Sequence, residues 1–195
     1  MWQAGLLMSN PAGDALTSMI GVIGNFSNKP SVRVVSKAAG PQLSLSIRHG
    51  KVILASLDPS DAYQHWFKDE RYSTRRDEAG FCAFSLVNKA TGEALKHPVA
   101  DYHTVRMMPY NPDILDESVL WSEGEDLGDG YSAIRMVNNI RFNMDACCGD
   151  KESGGTHDGT TIILWDWNHG DNQQWKILPY CKLSTKFFLF EMHAF

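Results

Sequence analysis

Gly170-Asp171-Asn172-Gln173-Gln174-Trp175, near the end of a 195-residue chain, is the stretch from which the fold is read. Its Gln-x-Trp ending occurs again at Gln64-His65-Trp66. A third tryptophan stands between them in Val119-Leu120-Trp121, where the glutamine is lost. The intervals are 55 residues from Trp66 to Trp121 and 54 from Trp121 to Trp175. Self-similarity at one period marks a repeat architecture and outranks a reading made segment by segment.

The context of each tryptophan repeats as well. Apolar runs precede them at Val52-Ile53-Leu54, Val105-Arg106-Met107-Met108 and Ile162-Ile163-Leu164-Trp165. Turn segments follow these runs at Leu57-Asp58-Pro59, Pro109-Tyr110-Asn111-Pro112 and Asp166-Trp167-Asn168. Further strand-like runs lie at Val32–Val35, Leu43–Ile47, Phe84–Val87, Ile134–Val137 and Arg141–Met144. Turn-forming pairs such as Gly40-Pro41, His49-Gly50, Thr91-Gly92 and Asn138-Asn139 punctuate them. Short strands, regular turns and a threefold repeat of about 55 residues predict a closed all-β fold, since closure removes the exposed sheet edges that invite aggregation. The expected architecture is a β-trefoil over residues 31–181, preceded by a leader of 1–30 and followed by an aromatic tail of 182–195. Ser60 to Ala79 has a helical alternative, with Ala62, Tyr63, Trp66 and Phe67 on one face, but is read as a turn carrying the repeat tryptophan.

Composition narrows the function classes. Apolar residues make up 43% and charged residues 21%, ordinary values for a globular chain. Twenty-three acids against 18 bases give a net charge of −5. Binding to nucleic acid or to an anionic membrane needs clustered excess Lys and Arg, so neither is expected as a partner. No apolar run reaches the roughly 18 residues of a membrane span. Cys82, Cys147, Cys148 and Cys181 lack the C-x-x-C spacing of a zinc or redox site and read as reduced thiols. The seven histidines show no ligand pair. No metal and no cofactor is expected.

The ends differ from the middle. Residues 1–30 hold one acid, Asp14, and one base, Lys29, with Leu16, Met19, Ile20 and Ile23 at the spacing of a short amphipathic helix. A secretory signal is not expected, because no basic residues precede an apolar core. Asn25-Phe26-Ser27 is a glycosylation sequon that matters only in a secreted chain. The tail packs Phe187, Phe188, Leu189, Phe190 and Phe195 into fourteen positions and follows no pattern found elsewhere in the chain.

The Gln-x-Trp endings resemble the ricin-B type of lectin trefoil. Longer strings are more specific: Tyr63-Gln64-His65-Trp66, Arg71-Tyr72-Ser73-Thr74-Arg75, Leu86-Val87-Asn88-Lys89-Ala90-Thr91-Gly92, Pro109-Tyr110-Asn111-Pro112, Leu115 to Trp121, Met136-Val137-Asn138-Asn139 and Gly170 to Ile177. Together they are similar to the Euonymus-lectin domain of plants, the single-domain (S-type) ricin-B-like lectins, over about residues 31–181. The resemblance implies a β-trefoil, binding of mannose- or galactose-containing glycans, a place in the cytoplasm and nucleus, and a link to stress response. The leader departs from the family's polar habit, and the tail has no counterpart there.

A neutral sugar presents hydroxyls and one apolar C–H face, so its site needs an aromatic ring, a carboxylate and amides. In trefoils of the ricin-B type these are an Asp on an early strand, an aromatic after the apolar run and Asn-Gln before the repeat tryptophan. The third unit carries the set as Asp145, Trp165, Asn172 and Gln173. The matching positions are Lys96, Met108 and Ser118-Val119 in the second unit, and Ser46, Ala55 and Tyr63-Gln64 in the first. One glycan site is therefore expected, in the third unit, with Asp145 and Trp165 at the surface. Asp150 and Asp158 are alternatives to Asp145. Gln173 has a bracing role as its alternative, because its counterpart Gln64 sits in a unit without a site. Two other functions compete. One is a protein-interaction trefoil without significant sugar binding. The other is glycoside hydrolysis by carboxylates such as Asp116-Glu117 or Glu123-Gly124-Glu125-Asp126, disfavoured because neighbouring strand residues face opposite ways.

Overall fold

The computed structural model describes residues 26–98, 104–149 and 153–180. The amphipathic run Leu16–Ile23, the alternative carboxylate Asp150 and the tail 182–195 lie outside them. Twelve strands are formed among the described residues, four to a unit. The first unit has β1 (Val32–Ser36), β2 (Leu43–Arg48), β3 (Lys51–Ser56) and β4 (Trp66–Asp69). The second has β5 (Ala83–Asn88), β6 (Glu93–Lys96), β7 (Arg106–Pro109) and β8 (Trp121–Glu123). The third has β9 (Ser132–Met136), β10 (Asn139–Ala146), β11 (Ile162–Asp166) and β12 (Gln174–Pro179).

The pairing closes on itself. β1 pairs β4, β4 pairs β5, β5 pairs β8, β8 pairs β9, β9 pairs β12, and β12 returns to β1, every pair antiparallel. The first and last strands of the units thus make a six-stranded barrel. The middle strands form three hairpins, β2–β3, β6–β7 and β10–β11. Bridges Ile53↔Thr161 and Thr104↔Ile163 join the hairpins to one another. Six barrel strands capped by three hairpins in a threefold repeat are a β-trefoil, as the tryptophan spacing requires. In the first hairpin, Arg48↔Lys51 enclose a two-residue loop in which His49 and Gly50 both have positive φ (51° and 71°). This is the turn geometry that matches strand twist, and Gly50 adopts it without a Cβ penalty.

The three repeat tryptophans are equivalent and completely buried in one core with Leu45, Leu54, Leu95, Met144 and Ile162. Each indole Nε1–H donates to the carbonyl of the unit's second strand: Trp66 to Leu45 at 2.9 Å, Trp121 to Leu95 at 3.0 Å and Trp175 to Met144 at 2.7 Å. Burying an indole without a partner for its N–H would cost stability, so this bond fixes where each tryptophan sits. Trp66 does not lie in a turn, the expectation for Ser60 to Ala79, but opens a strand. Single 3₁₀ turns at Ala62–Gln64, Glu117–Val119 and Asp171–Gln173 come first, and each tryptophan lies in the strand that follows, opening β4 and β8 and standing second in β12. Ser60 to Ala79 forms the first of these 3₁₀ turns, β4 and further short turns after it rather than a longer helix.

The folded body reaches further back than residue 31. Phe26 is buried, with its ring 5.2 Å from Phe67 and 5.8 Å from Tyr110. Lys89 Nζ staples the same segment by donating to the carbonyls of Ser27 and Lys29 and to Ser31 Oγ.

Candidate functional site

The third hairpin places the candidate residues by strand alternation. The register pairs Met144↔Leu164 and Ala146↔Ile162, and all four side chains enter the core. The residues between them, Asn143, Asp145, Ile163 and Trp165, therefore share the other face. Asp145 lies opposite Ile163, and Trp165 opposite Asn143. Asp145 and Trp165 are thus diagonal neighbours, about 7 Å apart by strand geometry.

Asn172 arrives from the 3₁₀ turn Asp171–Gln173. Its Nδ2 donates to Asp145 Oδ1 at 3.0 Å and to the Ala146 carbonyl at 3.3 Å. Two glycines make room for it. A Cβ on Gly149 would lie 2.9 Å from Asn172 Cβ and 2.7 Å from the Ala146 carbonyl, and a Cβ on Gly170 would collide with Asn172 Oδ1. The structure brings carboxylate, amide and ring together. It departs from expectation in one respect: Asp145 is only 3% exposed, whereas Trp165 is 45% exposed. Asp145 is not a surface residue: it is buried, with the buried Asn172 bonded to it. It forms the floor of the site and Trp165 its wall.

Gln173 is fully buried and does not line this face. Its Nε2 donates to the Asp166 carbonyl at 2.8 Å, and its Oε1 accepts from Asn168 N at 2.8 Å. Gln64 does the same in the first unit, donating to the Ser56 carbonyl at 2.8 Å and accepting from Asp58 N at 3.2 Å. Both glutamines brace the turn after the third strand. Gln173 therefore takes the bracing role of its two sequence readings rather than contact with a ligand.

Asp158 stands elsewhere. It accepts from the Arg48 guanidinium and from Ser56 N, tying the third unit's loop to the first hairpin. The bond from Arg48, with those from Ser56, holds its carboxyl well below the usual carboxylate range. Beside the site, the Cys147 thiol is pushed up to about 11, first by burial, then by the Cys148 thiol 3.4 Å away, and then by the charges of Cys148 and Asp145.

The other two hairpins lack the set in three dimensions as well as in sequence. In the first, Ser46 donates to Asp61 at 3.3 Å and Ala55 stands where Trp165 does. In the second, Ala94 lies opposite Met108, and this face carries an apolar cluster of Phe26, Val87, Ala94, Tyr110 and Val119, with Phe67 and Met108 packed against it. Phe26 thus plugs the second hairpin, a role with no local signal in its sequence. Three carboxylates of the acidic stretches serve the fold. Asp116 accepts from Ser118 N and Oγ, Glu123 pairs with Lys68 at 2.6 Å, and Asp126 accepts from Gly128 N and Gly130 N.

A closed barrel, three hairpins, a 3₁₀ turn before each buried tryptophan that is Gln-braced in the first and third units, and one hairpin furnished with polar groups define the class: a β-trefoil of the Gln-x-Trp type. The chain is 51% identical over 176 residues to the ricin B-like lectin R40G3 of Oryza sativa subsp. japonica, covering 87% of this chain and 86% of that protein. It belongs to the ricin B-like lectin family. It is also 59% identical over 159 residues to the ricin B-like lectin EULS3 of Arabidopsis thaliana, covering 81% of this chain and 50% of that protein, so it spans about half that relative's length. Among solved structures, the ricin B-like lectin of Macrolepiota procera in complex with lactose shares the fold with a TM-score of 0.53, at 18% identity over 77% of this chain and 96% of that one. No protein-family model matches the chain.

Proposed function

We propose that the chain is a carbohydrate-binding lectin with a single glycan site on the third hairpin, made by Asp145, Trp165 and Asn172 and braced from beneath by Gln173. The observation that carries this reading is the gathering of a carboxylate, an amide and a half-exposed indole on one hairpin face, with Asn172 held 3.0 Å from Asp145 and Trp165 diagonal to it. The indole stacks on the C–H face of a pyranose. The Asp145–Asn172 pair takes adjacent hydroxyls as acceptors, through the carboxylate and the amide oxygen, since both Nδ2 hydrogens of Asn172 are committed to Asp145 and the Ala146 carbonyl. Relatives named lectins, and a trefoil neighbour solved with lactose, support the same reading.

The ligand class is a mannose- or galactose-containing glycan met in the cytoplasm or nucleus, consistent with a part in stress response. The chain acts by binding rather than by hydrolysis, since Asp116, Glu123 and Asp126 are committed to turns and an ion pair. One stacked ring and a few hydrogen bonds give a monosaccharide dissociation constant on the order of 1 mM, about −4 kcal/mol.

The test compares Trp165→Ala with Met108→Ala and Ala55→Gly, the same register in the other hairpins, on a glycan array and by calorimetry, with folding followed by circular dichroism. Trp165→Ala should stay folded and lose binding while the other two retain it. Full binding by a folded Trp165→Ala would move the protein-interaction reading ahead.

A further inference from the structure

We propose that Trp167 and His169 form a second sugar subsite, so that the third hairpin binds an oligosaccharide of at least two hexose units. This rests on the glycan reading above and extends it to the size of the ligand.

The placement follows from the strand register. Trp167 N donates to the Arg141 carbonyl at 3.2 Å, which continues the pairing Asn143↔Trp165 by one more pair beyond the end of β11. Ile163, Trp165 and Trp167 then stand at alternate positions on one face. Two residues along a strand span about 6.7 Å, the length scale of one pyranose ring. The two indoles are spaced to receive successive sugar units.

Trp167 is also held firmly. Gln173 grips the backbone on both sides of it, through the Asp166 carbonyl and Asn168 N. A platform fixed before binding loses less entropy when the ligand arrives. The His169 ring lies 5.1 Å from the Trp167 ring at 58°, making an aromatic corner. Its backbone has φ +64°, and the left-handed turn there brings the chain back beside Trp167. At the edge of this corner Arg141 donates Nε and Nη2 to the two oxygens of Asp166 at 2.8 and 3.0 Å, with side chains 73% and 50% exposed. So exposed an ion pair adds little to stability. It does offer fixed donors and acceptors to sugar hydroxyls.

The equivalent positions in the other units are put to different use. The first unit has Leu57 there. The second has Tyr110, which is buried, donates its hydroxyl to Asp69 at 3.0 Å and lies against Phe26. The third unit alone joins a tryptophan at this position to the polar set of Asp145 and Asn172.

The experiment is calorimetry on the full chain with methyl α-mannoside and methyl β-galactoside, each against the matching di- and trisaccharides. For the sugar that binds, the oligosaccharide should be about tenfold tighter than the monosaccharide. In Trp167→Ala this ratio should fall to near one, and in Trp167→Phe, which keeps a ring, it should be largely restored. His169→Ala should lower the ratio in part, and this variant carries the test if Trp167→Ala fails to fold. A ratio near one in the parent, or a full ratio in a folded Trp167→Ala or His169→Ala, overturns the subsite while leaving the Trp165 site standing. If the parent binds none of these sugars, the glycan reading itself fails and the subsite with it.

Discussion

Asn172 donates its Nδ2 hydrogen to Asp145 Oδ1 at 3.0 Å, joining two buried side chains from separate strand–turn segments of the third unit. The bond sets the orientation of both groups before any ligand arrives. It also makes them part of the fold. Asp145→Asn should therefore lower stability by about 1–3 kcal/mol as well as weaken glycan binding about tenfold or more, because the buried amide loses its charged partner. Asn172→Asp sets two carboxylates side by side and drives the pKa of one upward. A group whose folded pKa lies above its unfolded value, near 4 for a carboxyl, stabilises the fold while protonated and loses that contribution as pH rises through the folded pKa. Urea unfolding of Asn172→Asp should show its deficit growing from pH 4 to pH 8. A deficit independent of pH would mean the two side chains do not meet.

The repeat tryptophans should respond alike. Trp→Phe at 66, 121 or 175 keeps a ring but strands the carbonyl of Leu45, Leu95 or Met144 that accepted the indole N–H. Each change should cost about 1–3 kcal/mol. Trp→Ala should cost roughly 3–5 kcal/mol at each position. Denaturant titration of the six variants tests this, and a position tolerated without loss would remove that unit from the repeat.

Much of this architecture is legible before any coordinates. The tryptophan period locates the units, and the apolar runs Leu43–Ile47, Val52–Leu54 and Ile162–Trp165 become β2, β3 and β11, with every other residue entering the central core. The repeat register places Asp145 with Lys96 and Ser46, and Trp165 with Met108 and Ala55, which are the positions the hairpin pairings give. Other features were hidden for physical reasons. β4, β6 and β8 are three- or four-residue strands in mixed polar sequence; barrel closure and a buried indole hold β4 and β8, and pairing with β7 and the Trp121 indole bond to Leu95 hold β6, rather than any pattern of their own. Asp145 is buried against Asn172, which arrives from a separate turn, and the plugging of the second hairpin depends on Phe26, distant in sequence. Contacts of this kind leave no periodic trace.

The thiols beside the site should differ in reactivity. Cys147 is half-buried and pushed up to about 11, while Cys82 and Cys148 are exposed. Only the thiolate is nucleophilic, so at pH 8 Cys147 holds roughly a hundredfold less of it than a thiol at the ordinary value near 9. Timed alkylation with iodoacetamide, resolved by peptide mass spectrometry, should label Cys82 and Cys148 well before Cys147. Labelling of Cys147 first would contradict its burial beside Asp145.

Asp77 binds the second unit to the third and should govern acid stability. Its carboxylate is wholly buried and accepts from Ser122 Oγ at 2.7 Å, Arg135 Nη2 at 2.8 Å and Nε at 3.0 Å, and the backbone N–H groups of Ala79 and Phe81. The Arg135 guanidinium lies over the Phe81 ring at 5.1 Å. Burial alone would raise the Asp77 pKa. The bonds from Ser122, Phe81 and Arg135 together outweigh it, and the folded pKa lies below the ordinary value. Its contribution is therefore complete above the unfolded carboxyl pKa near 4 and is lost as pH falls through the folded value. Asp77→Asn leaves Arg135 without its buried partner and should cost about 3–5 kcal/mol at pH 7. As the parent's Asp77 protonates on acidification, parent and variant should converge. Urea unfolding of both between pH 7 and pH 2.5 gives the comparison, and a gap that stays constant over that range would show that Asp77 does not carry the acid sensitivity of the fold.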